Sequence, residues 1–328
     1  MSISASEGGP LASVIVPAYN VAPYIAQALD SLFRQTLADM EIIVVDDGSS
    51  DGTAEVLKGI ETSHAGRTPC LQVIHQSNGG PSAARNAGLA VARGQYVGFL
   101  DADDLWYPEK LARHVALLEK RQSADLSFSW FRSIDQHGEA TGFIGRPDAF
   151  SFADLVRNNP IVTTLVVARK QALVDAGGFD DTLSSHVDFD LWLRVAHLRP
   201  DNFAEVPEVL VDQRTRPGQI TSDWRRMARN WEKVIQKART LQPGIVEKVV
   251  NEARARQRLF LAKSAYRGGE SRDALKLMLQ AWRAHPTSVI RRYEGWSVSV
   301  AVLAAQMPQP LRVAIFGLAT KLRKRGQA

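Results

Sequence analysis

The sequence predicts an α/β protein: a mainly parallel sheet flanked by helices, with a helical C-terminal extension. Three observations carry this. Short β-branched runs such as Val14-Ile15-Val16 and Ile42-Ile43-Val44-Val45 recur, single helix-periodic segments separate them, and the chain from about Trp224 onward reads as helix throughout. Strands buried on both faces and joined through one helix imply βαβ crossovers, which require a parallel sheet covered on both sides.

Ser13 to Val16 is the first strand, and Pro17, lacking an N–H, is expected to stop it. Ile25, Ala28, Leu29, Leu32 and Phe33 then repeat at helical spacing. Glu41 to Val45 is a buried strand ending in Asp46-Asp47-Gly48-Ser49-Ser50-Asp51-Gly52, turn and cap residues that lead into a helix over about Thr53 to Ile60. Leu71 to Ile74 is the third strand. Gly79-Gly80-Pro81-Ser82 opens a helix that runs through Ala92 and is stopped by Gly94, and Tyr96 to Leu100 is the fourth strand. Leu111, Val115 and Leu118 mark a further helix, and Leu126 to Trp130 and Ile161 to Val167 read as strands. The length allows two units. The expected division is a flexible N-terminus over 1–11, an α/β domain over 12–222 and a helical region over 223–328.

Composition narrows the function. Forty Lys+Arg against 35 Asp+Glu give a formal charge of +5, far from a nucleic-acid-coating excess, so no nucleic-acid partner is expected. One cysteine, Cys70, makes neither an intrachain disulfide nor a Cys-based zinc site, which fits a cytoplasmic protein. The N-terminus lacks the apolar core of a signal peptide. Trp296 to Leu311, the longest uncharged apolar stretch, falls short of a bilayer span and contains Pro308 and Pro310, which disfavours a membrane-embedded polymer synthase.

In open parallel sheets ligands bind at the C-terminal ends of the strands. There this chain carries Pro17-Ala18-Tyr19-Asn20, Asp46-Asp47 and Asp101-Ala102-Asp103-Asp104. Asp101 and Asp103, two apart at a strand end, turn their carboxylates to one side if the chain stays extended. Such a pair calls for a shared proton or a cation between the two groups, and oxygen-only ligands favour Mg²⁺ or Mn²⁺. The bland reading, Asp104 as turn former and helix cap before Leu105-Trp106-Tyr107-Pro108, leaves the rest of the triplet unexplained. No phosphate-binding Gly-x4-Gly-Lys-Ser/Thr loop and no strand-following Gly-x-Gly-x-x-Gly is present, so a diphosphate has to be met by the cation and by Arg85, near the start of its helix.

Four ordered motifs then resemble the inverting glycosyltransferases of family 2, which have the GT-A fold: Val14 to Asn20, Val44 to Thr53, Asn78 to Gly88 and Phe99 to Asp104, with a weaker match from Gly177-Gly178-Phe179-Asp180 to Asp188 and Arg194. The resemblance implies a nucleotide-sugar donor, usually UDP-linked. It implies a nucleoside pocket lined by Pro17, Ala18 and Tyr19, with Asp47 accepting a hydrogen bond from the base. Asn78, Gly80, Arg85 and Ala102 complete the donor site, and Asp101 and Asp103 form an Asp-x-Asp element with Asp103 as the more direct metal ligand. Inversion also needs a base opposite the leaving group. Asp188 occupies the family's position for it, with Asp190 as fallback. The acceptor implied is a hydroxyl of a glycan or lipid-linked saccharide in polysaccharide or glycan biosynthesis.

Two departures stand out. Val187 replaces a Glu common in the family, and Arg216 in Gln213-Arg214-Thr215-Arg216-Pro217-Gly218 replaces a His. Arginine neutralises phosphate but does not ligate a cation. Pro217 also stands where processive synthases carry Trp. These departures motivate an alternative, a nucleotide-sugar-binding module with impaired catalysis. A nucleotidyltransferase is a third reading, disfavoured by the missing phosphate loop. In the tail, Ala274, Leu275, Met278, Leu279 and Trp282 form one stripe of a helix that resembles half of a tetratricopeptide-type hairpin. Val298 to Leu318 with Lys321, Arg323, Lys324 and Arg325 offers apolar and basic surface for peripheral contact with the inner membrane face.

Overall fold

The computed structural model describes residues 9–199, 201–216, 219, 223–290 and 293–305. The basic segment beyond Ala305, the first eight residues and Pro217 lie outside them, and so do the expectations attached to them.

Among the described residues nine strands form one sheet: β1 Ala12–Ala18, β2 Met40–Asp46, β3 Cys70–His75, β4 Tyr96–Phe99, β5 Leu105–Trp106, β6 Leu126–Ile134, β7 Ala140–Gly145, β8 Val166–Arg169 and β9 Phe203–Arg214. Their order is β3-β2-β1-β4-β8-β6-β9-β5, with β7 paired to β6. The half β3-β2-β1-β4 is parallel throughout, as the sequence predicts. β8 enters antiparallel to β4 and to β6, and β6 runs parallel to β9, so the far half is mixed.

Pro17 does not end the first strand: it pairs with Val45, and Ala18 with Asp46. β4 pairs only as far as Ile15, so Pro17 has one neighbouring strand and its missing N–H breaks no ladder bond on the open side. Ile161 and Val162 are not strand. Thr163–Leu165 is a single 3-10 turn and the strand starts at Val166.

The helices before β4 are α1 Ile25–Phe33, α2 Thr53–His64 and α3 Gly80–Val91. Then come α4 Lys110–Lys120, α5 Phe152–Arg157, α6 Lys170–Asp175 and α7 Val187–Leu198, followed by α8 Trp224–Leu241, α9 Pro243–Arg267, α10 Ser271–Ala284, α11 Pro286–Ile290 and α12 Tyr293–Ala305. Alternating strand residues feed two cores. Ile15, Ile43, Val45, Val97 and Phe99 pack with α3, α5, α7, α8 and the start of α9. Val14, Val16, Ile42 and Val44 pack with α1, α2 and α4. This is the period-2 alternation of a sheet covered on both faces. A third core joins the rest of α9 to α10, α11 and α12. In α10 the fully buried positions are Ala274, Leu277, Met278 and Ala281, whereas Leu279 is exposed, so the buried stripe is rotated from the one read in the sequence. Among the described residues no helix is long and apolar enough to cross a membrane.

α3 sets the position of the site. Gly88 rests on β1, where a Cβ would stand 2.5 Å from Ile15 Cγ2, so only glycine lets the helix approach this closely. At the other end of the same helix Asp47, at the tip of β2, takes the Gly79 and Gly80 N–H groups at 2.8 Å each. A strand-end carboxylate thereby satisfies two of the helix's open donors.

Candidate active site

The C-terminal ends of β1, β2 and β4 gather most of the residues expected there. Asp47 is buried, and its carboxylate also accepts from Gln76 Nε2 at 2.7 Å, so in this structure it braces the 76–80 loop. Asp47 N–H donates to Ala18 O, joining the tips of β1 and β2. The Tyr19 ring is half exposed beside them, Asn78 is exposed on the braced loop, and Ala102 is buried. Asn20, in the left-handed region at φ 50°, accepts from Ser50 N–H and donates its own N–H to Ser49 Oγ, which fixes the loop against the Asp46-to-Gly52 turn.

Arg85 leaves α3 one turn before Gly88 and reaches Asp101, with Nη2 2.6 Å from Oδ1. The same nitrogen donates to Thr163 Oγ1 at 3.2 Å, and Thr163 Oγ1 lies 3.3 Å from both Asp101 oxygens. The Arg85 guanidinium sits 5.6 Å from the Phe179 ring, and its Nε is buried without a hydrogen-bond partner. Thr163 is a member of this cluster that the sequence did not single out. It lies in an apolar run that reads as strand, and only the 3-10 turn aims it at Asp101.

Asp188 stands in the first turn of α7, half-buried, with Oδ1 accepting from Phe189 N–H at 2.7 Å. Burial pushes its pKa up to about 6 against the opposing pull of that N–H and of Arg85, and the Asp101 charge adds to the rise. The electrostatic pull of Arg85 and push of Asp101 put all three groups in one field. His186, not Asp188, is the N-cap residue, at φ 58°. Val187 is buried in the first core, so no carboxylate replaces the Glu common at that position. Asp190, the expected fallback, lies outside this cluster. Two residues on, it points away around the helix, 2% exposed, paired with Arg194 Nη2 at 2.6 Å and with Lys237 of α8.

The other Asp of the pair meets the end of β9. Arg216 Nε donates to Asp103 Oδ2 at 2.6 Å. Arg214 N–H donates to Asp104 Oδ1 and its Nε to Asp103 O, both at 2.8 Å, while Nη1 reaches Asp135 O and Gln136 O and Nη2 reaches Gln27 Oε1. Asp104 is therefore no helix cap. It is buried, α4 starts six residues later, and its side chain clamps a strand whose partner residue lies 110 positions downstream. Burial, with the charges of Asp103 and Asp101, raises its pKa well above the ordinary value. Arg214 itself was not singled out, because nothing in its local sequence announces these partners.

The result is a strand-end cluster in which two aspartates each carry an arginine, beside a third carboxylate whose pKa is raised to about 6. Residues 13–161, somewhat under half of the chain, match the family model described as glycosyl transferase family 2. The fold of the chain is GT-A. It superposes with a TM-score of 0.60 on a mannosyltransferase from Pyrobaculum calidifontis, solved with GDP-Man and Mn²⁺, at 21% identity over 94% of this chain and 84% of that one. Staphylococcus aureus TarS 1-349 with UDP-GlcNAc gives 0.58 at 19% identity, over 96% and 92%. In sequence, the chain is 53% identical over 95 residues to the uncharacterised glycosyltransferase EpsJ of Bacillus subtilis, which is 29% of this chain and 26% of EpsJ. The chain spans between 26% and 33% of the length of three curated relatives that it matches.

Proposed function

We propose that this glycosyltransferase moves one sugar, with inversion, from a UDP-sugar to a hydroxyl of a glycan or lipid-linked saccharide, with Asp188 as the base. The observation that carries this reading is Asp188 itself: a carboxylate lifted to about 6, within the field of Arg85 and Asp101 and open enough to meet an acceptor. A base with that pKa is ionised at neutral pH and still basic enough to take a proton as the glycosidic bond forms. UDP is preferred as carrier because Tyr19 offers an exposed ring beside Asp47 for a base, and because TarS, of the same fold, is solved with UDP-GlcNAc.

Asp101 and Asp103 suit a hard divalent cation. Both present carboxylate oxygens, and among the described residues Asp103 Oδ1 has no hydrogen bond and Asp101 Oδ2 has only the 3.3 Å contact with Thr163. Among the described residues no group of three or more His, Cys, Asp or Glu is placed to hold a metal. Two protein carboxylates, with substrate phosphate and water completing the shell, is the usual arrangement for Mg²⁺. When bound, such an ion would offset the charge that grows on the departing nucleoside diphosphate. Arg85 would hold the diphosphate side of the donor, Pro17, Ala18 and Tyr19 its nucleoside, and the loop braced by Asp47, with Asn78 and Gly80, would close over it.

A second reading, a binding module without turnover, draws support from Arg216 on Asp103. Purified protein incubated with a panel of nucleotide sugars and Mn²⁺, followed by glycan acceptors for the donor that binds, separates the two. Donor-specific transfer with loss on Asp188→Asn supports the enzyme, whereas UDP binding with neither hydrolysis nor transfer supports the module.

A further inference from the structure

Two arginines reach the Asp-x-Asp turn from the end of β9, and they are held differently. Every side-chain nitrogen of Arg214 has a hydrogen-bond partner, spread over Asp103 O, Asp135 O, Gln136 O and Gln27. Among the described residues Arg216 has a single polar side-chain contact, Nε to Asp103 Oδ2 at 2.6 Å. Its guanidinium lies 5.4 Å from the Tyr24 ring, whose other guanidinium neighbour is Arg214 at 5.1 Å. Both Nη groups of Arg216 are left without a hydrogen bond among the described residues, although the side chain is only 22% exposed. A guanidinium that spends one donor on a carboxylate and keeps its terminal pair open is built to change partners. Phosphate oxygens match that pair bidentately, which a single carboxylate contact does not exploit.

We propose that Arg216 is an exchangeable counter-ion. It neutralises Asp103 while the donor site is empty, and it passes to the donor's diphosphate when a divalent cation takes the carboxylate. The exchange conserves charge pairing at each stage: Asp103 never stands unpaired in a partly buried site, and the diphosphate gains a second cation besides Arg85. The inference rests on the donor-site reading above.

The two cation effects have opposite signs, which makes the idea testable without turnover. Mn²⁺ binding to the full chain is titrated by the loss of the free-ion electron paramagnetic resonance signal, and UDP binding by calorimetry at saturating Mn²⁺. Arg216→Ala is expected to bind Mn²⁺ alone about tenfold more tightly than wild type and UDP, with Mn²⁺ present, about tenfold more weakly, the scale of one partly screened charge-assisted hydrogen bond. Arg216→Lys is expected between the two on both axes. Unchanged or weaker Mn²⁺ binding by Arg216→Ala overturns the proposal, as does UDP affinity that the variant leaves intact. If wild type binds no nucleotide at any Mn²⁺ concentration, the donor-site reading fails first. If UDP binds wild type equally with and without Mn²⁺, Arg216 is a permanent substitute for the ion and the exchange is overturned while nucleotide binding stands.

Discussion

Arg85 Nη2 stands 2.6 Å from Asp101 Oδ1, so a helix on one face of the sheet is tied to the end of the central strand β4 through two side chains of the proposed donor site. Arg85 is buried and Asp101 is about a quarter exposed. Arg85→Met removes the charge and keeps much of the stem. Its expected effects are a loss of stability of roughly 1–3 kcal/mol, because Asp101 loses its partner in a half-buried site, and a tenfold or greater loss of UDP affinity. Urea denaturation and calorimetry read the two separately. A variant that keeps full UDP affinity removes Arg85 from the donor site.

On the proposed reading Asp188 is the base and sets the acid limb of activity: the acceptor's proton can pass only to the ionised carboxylate, and burial has raised its pKa to about 6. Turnover should therefore be near its plateau at pH 7 and fall toward tenfold per unit below pH 6. Asp188→Asn, which keeps shape and loses the base, should lower kcat by about 10²- to 10⁴-fold with UDP affinity within a few-fold of wild type. A pH–rate profile whose acid limb survives in that variant would assign the limb to another group.

Gly88 links packing to the site. A methyl group there meets Ile15 Cγ2 at 2.5 Å inside the first core, and Arg85 projects from the same helix one turn earlier. Gly88→Ala should cost about 1–3 kcal/mol in denaturant titration, the usual penalty for overfilling a close-packed interface. Lifting α3 should also lengthen the Arg85–Asp101 contact, so UDP affinity falls in the same variant. By contrast, Gly59→Ala in α2 meets nothing within 4 Å and should be neutral or slightly stabilising.

Beneath the sheet lies a fully buried basic pair. Lys110 Nζ donates to Leu165 O at 2.9 Å and lies 3.2 Å from His114 Nε2, and His114 Nδ1 lies 2.8 Å from Ser127 Oγ. Ser127 donates onward to Val167 O, which assigns the ring proton to Nδ1 and leaves Nε2 to accept from Lys110. Burial holds both groups well below their ordinary pKa values, and Lys110 depresses His114 further. The unfolded chain takes up a proton on His at about pH 6.5 and on Lys at about 10.4. It therefore binds more protons than the native state, and stability rises with pH through these windows. The His114 contribution is intact above about 6.5 and is lost as pH falls below it toward the lowered native value. Urea midpoints should drop between pH 8 and pH 5 by roughly 1–2 kcal/mol equivalent, and His114→Gln should flatten that slope. An unchanged slope in the variant would clear His114 of the effect.

Much of the donor half was legible because its signals are local. Val14-Ile15-Val16, Ile42 to Val45 and the helical spacing of Ile25, Ala28, Leu29 and Leu32 each decide their own segment, and Gly80-Pro81 opens α3 where the chain needs a start. β9 was not legible, although it is twelve residues long, because it holds Pro207 and a string of charges and earns its place by pairing with β6. Thr163 and Arg214 escaped notice for the same reason, since their partners lie more than 60 residues away.

By itself the sequence determined the alternation of strand and helix, the acidic turns at the strand ends and the family resemblance of residues 13–161, since these follow from side-chain periodicity and ordered motifs along a continuous stretch. Only the tertiary structure decided that Asp101 is tied to Arg85 and Asp103 to Arg216, that Asp188 is raised toward 6 while Asp190 is locked by Arg194 and Lys237, and that Asp104 clamps a distant strand. A carboxylate's role depends on how much water and which charges surround it, and those are set by residues that the chain brings together only when it folds.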